Sequence, residues 1–160
     1  MPQSSALNSV QPSSIQCVFT IAASAPAGTV LSAVVYPLGT QFAGSSNPTV
    51  SPDEVWHIYD AYVVNATLFP NSMVISLVIG TTPYPLNIDT AAMIAQNNTS
   101  RINPFASAPL TIPPNKSFIV QGQLDAANGT SQVVETLWLS VLREPLAMAL
   151  QRTGAGAIKA

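Results

Sequence analysis

The sequence predicts an all-β fold: an antiparallel sandwich or barrel of about eight strands, with one or two short helices. Three observations predict it. Apolar segments repeatedly show period-two alternation rich in β-branched and aromatic residues. Those segments are separated by turn signals, with 14 prolines and 8 glycines in 160 residues. Only two short stretches have helical composition. A chain of this length suits one domain, which buries roughly 70% of the surface its unfolded form exposes.

The elements follow in order. Residues 1–14, "MPQSSALNSVQPSS", are polar and aperiodic and read as an extended arm. "QCVFTIAASA" (16–25) and "AGTVLSAVVYPL" (27–38) read as strands on either side of a Pro-Ala-Gly turn. A long loop over 39–54 carries Gly44, Asn47-Pro48 and Ser51-Pro52 as turn signals. "EVWHIYDAYVVNATLF" (54–69) reads as a long strand. Unbroken alternation would put Trp56, Ile58, Asp60 and Tyr62 on one face and Val55, His57, Tyr59 and Ala61 on the other.

"SMVISLVIG" (72–80) follows Pro70-Asn71 and reads as the return strand of a hairpin. Pro83 and Pro85 make 81–88 irregular or edge-like. "DTAAMIAQNN" (89–98) is the best helical stretch, with Asp89 or Thr90 as cap. After it, 102–115 is proline-rich, with a brief strand at 108–112. "KSFIVQGQLDA" (116–126) runs through Asn128-Gly129, a hairpin signal, into "SQVVETLWLSVLRE" (131–144). On that last strand Val133, Glu135, Leu137, Leu139 and Val141 share a face. Pro145 then opens two helical turns over 145–152, followed by a loose tail. This gives an arm (1–14), a β domain (15–144), and a helix with tail (145–160). Many short strands with proline- and glycine-rich connections are the pattern of an antiparallel sandwich or jelly roll.

Charge sets this chain apart. Only 8% of its residues are Asp, Glu, Lys or Arg, against about 25% in ordinary soluble domains. Residues Pro2 to Pro52 carry no charge at all. A surface so weakly charged has little electrostatic protection against association. The composition therefore points to an assembled protein, or to one living where carboxylates titrate anyway, such as hot acid. The five basic residues, Arg101, Lys116, Arg143, Arg152 and Lys159, form no basic stripe, so no specific nucleic-acid site is expected. "AASAPAGTVLSAVVYPL" (22–38) is interrupted by Pro26, Gly28 and Pro37 and is too short for a membrane span. Cys17 is the sole cysteine and reads as a buried strand residue. Asn-x-Ser/Thr sequons stand at Asn65, Asn97, Asn98, Asn115 and Asn128.

The chain's single histidine, His57, sits in "DEVWHIYDAYVV" (53–64) beside Asp53, Glu54 and Asp60. On an unbroken strand His57 and Asp60 point to opposite faces, so they cannot couple, and His57 reads as a hydrogen-bonded strand residue. Asp53 reads as a turn residue at the strand's entrance. A metal site on His57 would need Asp89, Asp125 or Glu135 brought close. No Gly-x-Ser-x-Gly elbow and no phosphate loop occurs. No catalytic, cofactor-binding or metal-binding residues are expected, and the chain is not expected to be an enzyme. Trp56 and Trp138 read as core residues. The alternative is that one of Trp56, Tyr59 and Trp138 is exposed as a sugar-stacking platform.

"DEVWHIYDAYVV", with its Trp-x-Ile-x-Asp-x-Tyr strand after a long loop, and the paired final strands "SFIVQGQLD" and "VVETLWLSVLRE" carry a family resemblance. Over residues 16–144 the pattern resembles the single jelly-roll capsid proteins of icosahedral viruses of archaea and thermophilic bacteria, of the portoglobovirus and sphaerolipovirus kind. The resemblance implies an upright eight-stranded barrel, with two four-stranded sheets perpendicular to a viral shell. Its partners would be copies of itself and other capsid proteins, with an inner membrane or packaged genome on the inner side, in the virion. The basic arm often found in such proteins is missing, so residues 1–14 are expected to clamp a neighbouring subunit. A carbohydrate-binding or adhesive β-sandwich is the alternative function, and a hydrolase built on His57 a third.

Overall fold

The alternation read in the sequence forms two antiparallel sheets in the computed structural model, which describes residues 9–63, 71–89, 100–102 and 109–154. The strands are β1 (Gln11–Ile21), β2 (Val30–Ser32), β3 (Val34–Tyr36), β4 (Glu54–Val63), β5 (Met73–Ile79), β6 (Thr82–Asp89), β7 (Ser100–Ile102), β8 (Leu110–Ile112), β9 (Phe118–Leu124) and β10 (Val133–Pro145). One helix, α1 (Leu146–Arg152), follows β10. The first sheet has the order β3-β1-β10-β4-β7, with β8 on the same edge of β4 as β7; the second has the order β2-β9-β5-β6. No described helix is long and apolar enough to cross a membrane.

The core lies between the sheets and is built by alternate residues. Ile15, Cys17, Phe19 and Ile21 face it from β1, and Leu137, Leu139 and Val141 from β10. From the second sheet come Met73, Ile75 and Leu77 of β5, and Phe118, Val120 and Leu124 of β9. Each such large side chain, fully buried, contributes roughly 1.5–3 kcal/mol. Gly122 faces the same interior, where an added Cβ would collide with the Met73 sulfur and lie 3.1 Å from Phe19. Met73 of the neighbouring strand and Phe19 across the sandwich thus fill the space over Gly122 and leave no room for a side chain.

Five expectations change. β1 starts at Gln11, inside the stretch read as an arm, because β10 runs on to Pro145 and offers it a ladder as far as Arg143. The strand expected over 27–38 divides at the buried Ala33. β2 pairs with β9 in one sheet and β3 with β1 in the other, so the chain turns a corner between sheets. The strand at 72–80 is not the return of a hairpin with β4, since β4 and β5 belong to different sheets.

Nor do β9 and β10 make a hairpin. Neither Asn128 nor Gly129 takes the positive φ that the two-residue hairpin turn requires. Asn128 is instead buried, its amide donating to the Ala22 and Ser131 carbonyls at 2.8 and 3.0 Å, while Ser24 N–H donates to the Gly129 carbonyl at 2.7 Å. These bonds route the chain from one sheet to the other.

The fifth change is in β4. The register with β10 pairs Ile58 with Val141 and Asp60 with Ser140, leaving Tyr59 as a bulge residue. Ile58 and Ala61, three apart, are both in the core. His57, Asp60 and Tyr62 consequently share the outer face, where the unbroken alternation had separated His57 from Asp60. The helix expected over 89–98 lies outside the described residues except for Asp89, which ends β6.

Candidate functional site

At one corner of the first sheet, where β4, β8, β10 and α1 meet, four of the chain's twelve charged residues (five basic, seven acidic) form two groups. Strand parity sorts them. On the inner face Arg143, in register with Trp56, forks onto Glu54: Nε donates to Oε2 at 2.9 Å and Nη2 to Oε1 at 2.7 Å. Trp56 Nε1–H donates to the same Glu54 Oε2 at 2.7 Å, and the Arg143 guanidinium lies 5.6 Å from the Trp56 ring centre. Trp56 also meets Phe118 edge-on, at 5.8 Å between centroids. Burial raises the Glu54 pKa, but the bonds from Arg143 and Trp56 and the Arg143 charge outweigh it and hold the carboxyl below its ordinary value.

On the outer face His57 bridges two strands. Its Nε2 lies 2.7 Å from Glu144 Oε2 on β10, and its Nδ1 lies 3.0 Å from Thr111 Oγ1 on β8. Arg152 reaches back from α1 and donates to both Glu144 oxygens, at 3.1 and 3.0 Å. The Arg152 bonds, followed by those of His57, hold Glu144 below the usual carboxylate range despite its burial. Leu146 N–H donates to the Asp53 carbonyl at 2.8 Å, so Asp53 does serve the strand entrance, by anchoring the helix start.

Beside this group lies a cavity of about 300 Å³, lined by Val10, His57, Pro109, Leu142, Glu144 and Arg152. Both nitrogens of His57 and both oxygens of Glu144 are engaged by neighbouring side chains. The arrangement acts as a clasp that fastens α1 and β8 to the β4–β10 pair.

The other residues singled out by sequence are dispersed. His57 meets Glu144, not Asp125 or Glu135. Among the described residues no group of three or more His, Cys, Asp or Glu could hold a metal ion. Asp60 is on the outer face and buried, 4% exposed. Glu135 is wholly buried near the other end of β10. Cys17 is in the core, where burial pushes its thiol pKa far up. Trp56 is buried and cannot meet a sugar. Trp138, in contrast, is half-buried on the outer face, stacked on Tyr62 at 6.1 Å and 10° between rings. Of the sequons, Asn65, Asn97 and Asn98 lie outside the described residues. Asn128 is buried, and Asn115 is exposed on a turn.

Sequence reading missed Glu144, Arg152 and Arg143. Their signal was present as adjacent opposite charges at the end of a strand, but it becomes usable only once β4 and β10 are known to pair. No family model matches the chain, and no curated protein does.

Proposed function

We propose that this chain is a structural subunit, a single jelly-roll capsid protein of an icosahedral viral shell that meets copies of itself through uncharged faces. Several pairings nest: β1 with β10, β2 with β9, β4 with β7 and β8, and β5 with β6. A long antiparallel ribbon wrapped so that β10 meets β4 and β9 meets β5 has this pattern, which favours the jelly roll among sandwiches. Fold alone does not give function, because lectin domains use the same architecture.

The observation that carries the reading is the outer face of the second sheet. β2, β5 and β9 contain no charged residue. Val30, Gln123 and Val74 lie in one register row, Ser32, Gln121 and Ser76 in the next, then Val78 beside Ile119. Val30 is 58% exposed and Val74 42%. Asp89 of β6 continues the first of these rows beside Val74, but the other three strands are neutral, and a face so poor in charge suits burial against another subunit, since permanent interfaces are large and relatively apolar.

Electron microscopy and light scattering of purified protein test the proposal. Closed particles or capsomer-sized oligomers are expected. The double variant Val30→Lys/Val74→Lys should keep its β circular dichroism but dissociate. A protein that stays monomeric at high concentration across pH, or particles indifferent to the two lysines, would overturn it.

The Tyr62–Trp138 stack favours a second reading, a carbohydrate-binding sandwich, because paired aromatic faces suit sugar rings. Saturable glycan binding abolished by Trp138→Ala would support it; a silent glycan array would retire it.

A further inference from the structure

Glu135 sits on β10 directly opposite Phe19 of β1, with no exposed surface. Its Oε1 accepts a 2.7 Å hydrogen bond from the backbone N–H of Asn71. Its Oε2 has no hydrogen-bond partner among the described residues. Asn71 in turn donates through Nδ2 to Asn128 Oδ1 at 3.2 Å, and Asn128 holds the Ala22 and Ser131 carbonyls. Through Asn71 the carboxyl joins a network in which Asn128 ties the stretches around residues 22–25 and 125–131 to that around 71–72, at one end of the sandwich.

Among the described residues no cation is paired with it. Of the described elements packed there, β1 offers Cys17 as its titratable group, and β5 and β9 offer none. The segment after β9 offers the exposed Asp125, which is itself acidic. The charged groups of β10 itself, Arg143 and Glu144, are eight and nine positions along the strand and are engaged at the other corner. A half-satisfied anion against Phe19 is costly, and a neutral acid in the same place costs far less.

We propose that Glu135 is a buried proton-binding site that closes this end of the sandwich when protonated and loosens it when ionised. The device belongs to the subunit itself and does not depend on assembly. Burial pushes the carboxyl up to about 7 from an ordinary 4.5, against the pull of the Asn71 bonds. A raised acid pKa stabilises the fold fully below the unfolded value, and that contribution is lost as pH rises through the folded one. These two values make the Glu135 contribution to the unfolding equilibrium rise about 30-fold between pH 5.5 and pH 8.

The test is urea unfolding of wild type, Glu135→Gln and the control Asp125→Asn from pH 5 to 8.5. Alongside it, the Glu135 side-chain carboxyl carbon of the wild type is titrated by NMR. Glu135→Gln should gain on wild type by about 30-fold over that interval, and Asp125→Asn should follow wild type. The Asn71 and Asn128 amides should exchange faster above neutrality in wild type alone, after correction for intrinsic rates. A Glu135→Gln profile parallel to wild type, or a Glu135 carboxyl titrating below pH 5, would overturn the proposal. The wild-type titration decides the matter even if the variant fails to fold.

Discussion

Replacing Arg143 by methionine should be among the most damaging single changes outside the apolar core. Glu54 is only 4% exposed, and two of its three hydrogen bonds come from Arg143. Methionine keeps much of the stem's packing but leaves the carboxylate with the Trp56 N–H alone. Removing one partner of a buried pair costs about 3–5 kcal/mol. The Arg143 side chain is itself 18% exposed, which lets water relieve part of the loss and places the expected cost near the lower end, about 3 kcal/mol. Loss of the guanidinium over the Trp56 ring adds about 0.5–1 kcal/mol.

The cost also has a pH signature. Glu54 is held below its ordinary value, so its pairing contributes above the unfolded pKa and is lost as pH falls through the folded one. In Arg143→Met the penalty, read by urea unfolding, should be largest near neutrality and shrink toward pH 4 as the orphaned carboxyl protonates. Arg143→Met/Glu54→Met, which removes both charges, should recover to within about 1 kcal/mol of wild type. A penalty under about 1 kcal/mol, or one indifferent to pH, would refute the reasoning.

Two further predictions concern the clasp and the close packing over Gly122. Arg152→Ala should cost little, and clearly less than Glu144→Ala, because its side chain is largely exposed to solvent. Glu144→Ala, which strips a partner from the half-buried His57 as well, should cost about 1–3 kcal/mol, both read by thermal or urea unfolding. Equal costs would mean that His57 does not depend on Glu144. Gly122→Ala should destabilise by about 1–3 kcal/mol by forcing Met73 aside. Gly129→Ala, with nothing within 4 Å of the added methyl and no positive φ, should stabilise by about 0.4–1 kcal/mol in the same assay. A reversed order would locate the close approach elsewhere.

What the sequence made legible is what period-two alternation encodes. "QCVFTI" could be read as a strand, and in "ETLWLSV" Glu135, Leu137, Leu139 and Val141 could be placed on one face, because β1 and β10 alternate over those stretches. Pro83 and Pro85 made 81–88 read as irregular or edge-like, and among the described strands β6 borders β5 alone. The illegible parts are those that a local pattern cannot carry. Asn128-Gly129 has the composition of a hairpin turn, but a hairpin also requires its two strands to be neighbours, and Asn128 is occupied in tying loops across the sandwich. Tyr59 looks like every other aromatic strand residue. Only the register against β10 exposes it as a bulge, and that one extra residue moves Asp60 and Tyr62 to the face of His57. The clasp was hidden for the same reason: Glu144 lies 87 positions from His57.

The two kinds of carboxylate in this fold pull its pH response in opposite directions, and the two slopes meet in a maximum. Glu54 and Glu144 are lowered by arginine partners, so their contributions last down through the ordinary glutamate range and fail only when those lowered pKa values are reached. Glu135 is raised to about 7, so its contribution is complete below 4.5 and declines toward neutrality. Above pH 7 the first pair is fully effective, but the third residue works against the fold; near pH 4.5 all three favour it. With only seven acids in the chain, three acting together weigh heavily in the whole profile. Maximum stability should therefore fall on the acid side of neutrality, where many domains are already losing theirs. That placement agrees with the near absence of surface charge, since a neutral polar skin of Ser, Thr, Asn and Gln does not titrate as the medium acidifies. A stability maximum at pH 8 in wild type would break this account at Glu135 first, because it is the one of these three residues that opposes folding there.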